Sequence, residues 1–265
     1  MSRKRRDYPL IEGLHITTLA AEGKAMGRHE EQVVFVPMTV PGDVVDVQIV
    51  KRHRRYMEGR AVRFIERSPM RVEPFCSHFG VCGGCKWQNL PYDEQLRQKT
   101  QQVADQLHRI GHIELPEIRP CLGSAATQHY RNKLEFTFAD RRWLTYEEIA
   151  RTDEIESAPA LGFHIPGCFD KVLDIDRCWL QADISNRIRL EVKRFCIEHG
   201  YSFHNARAHE GLMRTLIVRT ASTGEVMTIV VFNENDRPKI DALMGHLAAT
   251  FPEITSLIYM INDKW

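Results

Sequence analysis

The sequence lacks any run approaching the roughly 18 apolar residues that a membrane-spanning helix needs, so no membrane association is expected. It also lacks a secretory leader. The N-terminus, MSRKRRDYPL, is basic, but no apolar stretch follows it. A cytoplasmic protein is therefore expected. In a reducing compartment, seven cysteines point to metal ligands rather than to a disulfide framework. Net charge is nearly absent: 36 Lys and Arg against 35 Asp and Glu leave +1 with the histidines neutral, which excludes a uniformly polyanion-binding surface. No internal repeat is visible. What is present is ordinary for a globular protein, 43% hydrophobic and 27% charged. The 265 residues suffice for two compact domains or three small ones.

The densest chemistry lies in CSHFGVCGGCKWQ, where Cys76, Cys82 and Cys85 have the spacing C-x5-C-G-G-C. Three thiolates separated by glycine can converge on one soft metal centre. A [4Fe–4S] cluster takes four thiolates. Zinc accepts four, or three together with His78. A redox pair of Cys82 and Cys85 is the third reading, although such pairs sit on a strand–helix unit. A reduced set without metal is the fourth. Candidates for the fourth ligand are Cys121, Cys168, Cys178 and Cys196. Cys196 lies on the apolar face of a helical pattern and reads as core. Position alone does not separate Cys121 from Cys178.

The pattern along the chain divides it in three. Residues 1–66 contain five short strand candidates rich in Val, Ile and Phe and bounded by Gly, Pro and Asp, which fits an oligonucleotide-binding type of β-barrel. Residues 67–112 hold the cysteine loop and a helix over 91–110, opened by Pro91 and closed by Gly111, with Tyr92, Leu96, Val103, Leu107 and Ile110 at helical spacing. Residues 113–265 alternate between strands and helices and predict an α+β domain with an antiparallel sheet. The strands there are expected at 130–139, in hairpins around Pro166 and Gly224, and at 254–262. Helices are expected at 183–200, capped by Asp183, and at 236–251.

Charge is unevenly placed. Residues 3–6 read RKRR, and residues 51–55 read KRHRR between two strand candidates. Basic clusters on a neutral chain suggest a local polyanion-facing surface. Lys51, Arg52, Arg54 and Arg55 are the candidate phosphate contacts. Phe35 is expected in the core, while Tyr56 is open to core packing or to stacking on a base. Arg131 and Lys133, on the face opposite Leu134 and Phe136, are candidate RNA contacts in the second half, with Arg214 and Arg219 behind them.

The run FCSHFGVCGGCKWQNLPYDEQLRQK resembles the iron–sulfur segment of the RNA (uracil-5-)-methyltransferases that make 5-methyluridine in 23S ribosomal RNA. The shared pattern falls on Cys76, Cys82, Cys85, Gln88, Tyr92, Gln95 and Lys99. The barrel resembles the TRAM domain, an RNA-binding module. VLDIDRCWLQ resembles the segment that supplies the fourth cluster ligand, which implies Cys178 as that ligand and a [4Fe–4S] cluster as cofactor. YRNKLEF and GLMRTLIVRT resemble strands of the family's central domain. The resemblance implies RNA as partner, 23S ribosomal RNA foremost, and a monomer.

Members of that family also carry a domain that binds S-adenosylmethionine and holds the nucleophilic cysteine. This sequence has no Gly-rich strand–turn–helix loop and no Asp-Pro-Pro-Arg-like motif, so no residue is assigned a catalytic role. The expectation is the N-terminal, RNA-binding part of such an enzyme, inactive by itself. A stand-alone RNA-binding protein with an iron–sulfur or zinc domain is the alternative.

Overall fold

The computed structural model describes residues 8–151 and 158–264. The basic tract 3–6 lies outside them, as does part of the acidic stretch 147–156. The described residues fall into two compact units, those of Met1–Gly80 with Cys85–Ala125 and those of Val81–Gly84 with Ala126–Trp265.

In the first unit, five strands close into a barrel: β1 (Leu10–Leu19), β2 (Lys24–His29), β3 (Gln32–Pro37), β4 (Val44–Arg52) and β5 (Tyr56–Glu66). Their order around the barrel is β1-β2-β3-β5-β4. β3 and β5 pair in parallel, and the other pairings are antiparallel. Alternation sends Ile11, Leu14, Val34, Val36, Val45, Val47 and Ile49 inward to a dry core. Gly13 adopts φ +64° at a register shift in β1, and its N–H donates to Asp46 Oδ1 at 2.9 Å. The positive φ of this bulge suits glycine, although a Cβ there would meet nothing within 4 Å. Gly59 is needed for a different reason: a Cβ there would lie 2.3 Å from Val47 Cγ1.

Asp43 fastens the barrel to the chain beyond it. Its carboxylate accepts from Arg71 Nε at 2.8 Å and Nη2 at 2.6 Å, and from the N–H groups of Val40 and Ser68 at 2.7 and 3.0 Å. Residues 67–90 then run in turns without regular structure, and Leu90 returns to the barrel core with Trp87 against it. Helix α1 (Tyr92–Arg109) follows, within the bounds expected. Its Gln95 Nε2 donates to the carbonyls of Trp87 and Leu90, and its Gln102 Nε2 to that of Ala20. The apolar positions do not form a buried stripe. Val103, Leu107 and Ile110 are exposed, and the buried side chain is Gln98, bonded to Glu94.

The second unit is a six-stranded sheet in the order β11-β10-β9-β6-β7-β8. Its strands are β6 (Lys133–Ala139), β7 (Ala160–His164), β8 (Val172–Asp174), β9 (Met213–Thr220), β10 (Val226–Phe232) and β11 (Ile254–Ile261). The short α2 (Tyr146–Arg151), which the sequence pattern did not reveal, follows β6. The expected antiparallel sheet is corrected at one edge, where β11 pairs with β10 in parallel. The helix α4 (Arg237–Thr250) between them makes the crossover that a parallel pair requires. Leu134, Phe136, Leu216, Val218 and Val230 form the buried face, covered by α4 and by α3 (Ile184–Glu198). Asp183 stands at the start of α3, but its side chain makes no cap; it pairs with Arg177 at 3.0 Å.

Candidate nucleic-acid interface and cysteine segment

The β4–β5 hairpin gathers the predicted cations. Lys51 and Arg52 end β4, His53, Arg54 and Arg55 make the turn, and all but His53 are exposed. The turn is fixed rather than loose. The His53 N–H donates to the Tyr56 carbonyl at 2.9 Å, and Gln32 Nε2 donates to the Arg54 carbonyl at 3.3 Å. His53 stacks on Tyr56 with ring centroids 4.2 Å apart, and Phe35 meets Tyr56 edge-on at 5.5 Å. Phe35 is therefore outside the core. Val34 and Val36 point inward on β3, so the residue between them must point outward. The result is an aromatic shelf on the barrel wall beside four cations. Sequence reasoning missed His53 and misplaced Phe35, although the alternation of β3 carried the signal for Phe35.

In the second unit, Arg131 and Lys133 are both exposed. Lys133 lies on the sheet face opposite Leu134, as expected, whereas Arg131 precedes β6 and its N–H donates to the Leu180 carbonyl at 2.7 Å. Lys133 sits directly across from Arg219 in the β6–β9 pairing. Like charges directly opposed in a sheet are unfavourable. Arg214 is occupied structurally, donating to the Asn262 carbonyl at 2.5 Å.

The cysteines differ in setting. Cys76, Cys82 and Cys85 are half-buried, Cys178 and Cys196 buried, and Cys121 exposed. The Cys76 N–H donates to Gln88 Oε1 at 3.2 Å, which gives the motif glutamine a local task. The Gly84 N–H lies 3.4 Å from Cys82 Sγ. Cys178 follows β8, and Asn186 of α3 clamps its backbone. Asn186 Oδ1 accepts from its N–H at 2.8 Å, and Asn186 Nδ2 donates to its carbonyl at 3.0 Å. Cys196 packs in the core, and burial pushes its thiol pKa far up. Within neither unit do the described residues gather three His, Cys, Asp or Glu side chains as a metal site.

A buried cation accompanies Cys178. Arg189 is fully buried, and its Nη1 and Nη2 donate to the carbonyls of Leu161 and Asp176 at 3.3 and 2.7 Å. Burial lowers its pKa, while the charges of Asp174, Cys178 and Asp176 oppose that shift. Cys76 and Cys85 belong to the first unit, and Cys82 and Cys178 to the second.

Residues 10–62 match the TRAM domain family. An "uncharacterized RNA methyltransferase" of Bacteroides thetaiotaomicron is 56% identical over 249 residues, covering 93% of this chain and 55% of that protein. One of Porphyromonas gingivalis is 52% identical over 256 residues, covering 95% and 55%. The chain is thus similar over nearly its whole length to proteins named RNA methyltransferases. It spans about half the length of these curated relatives. The crystal structure of a Pyrococcus abyssi tRNA (uracil-54, C5)-methyltransferase, in complex with S-adenosyl-L-homocysteine, shares the fold. Its TM-score is 0.62 at 23% identity, over 95% of this chain and 51% of that one.

Proposed function

We propose that this chain is the RNA-gripping part of an S-adenosylmethionine-dependent enzyme that makes 5-methyluridine in 23S ribosomal RNA. The observation that carries the reading is the β4–β5 hairpin, where exposed Lys51, Arg52, Arg54 and Arg55 adjoin the shelf of His53, Tyr56 and Phe35. In barrels of this type, the loop joining the fourth and fifth strands is one of those that contact oligonucleotides. The cations would bind phosphates without regard to sequence, and the half-buried rings are the candidate surface on which a base stacks. Lys133 and Arg131 extend the anion-facing surface of the second unit.

The four sulfurs of Cys76, Cys82, Cys85 and Cys178 are proposed to hold a [4Fe–4S] cluster, whose part is structural. S-adenosylmethionine supplies the methyl group in such a reaction. No residue of this chain is assigned to bind it or to attack the uracil ring, so the chain alone is proposed to be inactive. It is proposed to act as a monomer in the cytoplasm. The test is nucleoside analysis of RNA from cells with and without the gene. Loss of 5-methyluridine from one position of 23S ribosomal RNA is expected. Unchanged 5-methyluridine in 23S RNA, with loss from transfer RNA instead, overturns the ribosomal target, and no loss anywhere overturns the activity.

A further inference from the structure

The second unit contains a cavity of about 340 Å³ that the hairpin reading does not use. It opens where β6 runs out at Ala139, between the loop after that strand, the β7–β8 turn and the segment 204–207. Its size falls within the range of about 300–1,000 Å³ typical of small-ligand clefts.

The cavity is held open by backbone and side-chain bonds in its walls. The Asp140 N–H donates to the His204 carbonyl at 3.3 Å, and the Trp143 N–H to the Val172 carbonyl at 2.7 Å. Asn205 Nδ2 donates to Asp140 Oδ2 at 2.8 Å, while its Oδ1 accepts from the N–H groups of Arg207 and Ala208 at 3.0 and 2.9 Å. These bonds join separate strands and loops, so the cleft is preformed.

Its lining combines two chemistries. Arg141, Arg142, Lys171 and Arg207 supply cationic groups beside the carboxylates of Asp140 and Asp170; Lys171 and Arg207 are both paired with Asp170, Arg142 is paired with Glu148, and Arg141 has no ion-pair partner among the described residues. Trp143 and Phe169 supply rings. Phe169 is 67% exposed with the Arg207 guanidinium 5.6 Å from its ring centre, a large apolar side chain left uncovered at a charged rim. Deeper in, His204 is only 9% exposed, and its Nδ1 is buried with no hydrogen-bond partner. A buried polar atom without a partner is costly. Burial, first, and then Arg214 and His209 lower the pKa of this imidazole, so the ring is neutral near pH 7.

We propose that this cavity receives one unpaired nucleotide of the RNA substrate, its base against Phe169 and Trp143 and its phosphate against Arg141, Lys171 and Arg207. The inference rests on the reading of the chain as RNA-binding. Single-stranded RNA is recognised through splayed bases stacked on aromatic and guanidinium planes. A bare anion site would need the cations but not the uncovered ring, and an apolar ligand would need the ring but not the cations.

The test titrates the chain with uridine 5′-monophosphate, inorganic phosphate and a single-stranded oligoribonucleotide, followed by amide NMR shifts. Uridine monophosphate is expected to shift signals at 141–143, 169–171 and 204–207, and to bind at least about tenfold more tightly than phosphate. Phe169→Ala removes an exposed side chain and should leave the fold intact. It is expected to weaken both the mononucleotide and the oligonucleotide by about fivefold or more. Phosphate binding as tightly as the nucleotide, with Phe169→Ala indifferent, reduces the cavity to an anion patch. Oligonucleotide affinity unaffected by Phe169→Ala, but lowered by changes at Lys51 and Arg55, overturns the cavity proposal and leaves RNA binding by the hairpin standing. Failure of the unaltered chain to bind any RNA overturns both.

Discussion

His53 and Tyr56 stack face to face across the tip of the β4–β5 hairpin, 4.2 Å between ring centres and 20° from parallel. The pair holds a charged turn in one shape, because the His53 N–H is also bonded to the Tyr56 carbonyl. With Phe35 edge-on to Tyr56, the outer wall of the barrel presents rings beside the exposed cations of the hairpin. RNA binding by this surface should therefore depend on rings as well as on charge.

Tyr56→Ala is expected to weaken single-stranded RNA binding by about 1–3 kcal/mol, the usual worth of one base–aromatic stack. Tyr56→Phe should bind as the unaltered chain does. Fluorescence anisotropy with a short oligoribonucleotide measures both. Equal affinity for all three proteins would assign the ring to packing against His53 and Phe35 alone.

Asp43 makes the barrel acid-sensitive. Burial raises its pKa, but the hydrogen bonds from Arg71, Ser68 and Val40 and the Arg71 charge more than offset that, so the folded value lies below the ordinary one. A depressed folded pKa contributes stability above the unfolded value of about 3.9, and that contribution is lost as pH falls through the folded value. Asp43→Asn is expected to cost about 3–5 kcal/mol near neutral pH, since Arg71 would be left without its carboxylate. It should also flatten the pH dependence below about pH 4. Urea unfolding at several pH values reads both, and an unchanged acid limb would contradict the assignment.

Asn186 is expected to matter for stability through Cys178. Asn186→Leu leaves the N–H and carbonyl of Cys178 without their side-chain partners, in a buried place where each such loss costs about 1–3 kcal/mol. A fall in the unfolding midpoint is expected, with iron or zinc content reduced alongside. Unaltered stability would show that the clamp is dispensable.

Metal content distinguishes the sulfur ligands. Anaerobically purified protein is expected to carry iron and sulfide, and Cys178→Ser to abolish them while Cys121→Ser leaves them. Stoichiometric zinc without iron would refute the cluster. Iron lost from Cys121→Ser and kept by Cys178→Ser would move the fourth ligand to the exposed cysteine.

Much of this was legible in the sequence, for identifiable reasons. The barrel strands, α1, α3, α4 and the hairpins all carry local signals: alternation, Pro91 before a helix, Gly224 with φ +96° in a turn. Periodicity shows which residues share a face but not whether anything covers it: Val103, Leu107 and Ile110 stand at helical spacing and are exposed. The parallel placement of β11 followed from α4 lying between two strands, a topological rather than a local fact. The cavity had no local sequence signature, because its rim is assembled from segments near residues 141, 170 and 205 that only the fold brings together.

The central claim is that the chain grips RNA through the cations of the β4–β5 hairpin. Its most direct measure is the slope of log affinity against log salt for single-stranded RNA, where each phosphate contact contributes about 0.7. Changing Lys51, Arg52, Arg54 and Arg55 together to Gln is predicted to reduce that slope by about 2–3 and to weaken binding at low salt. An unchanged slope, with RNA bound as before, would contradict the account.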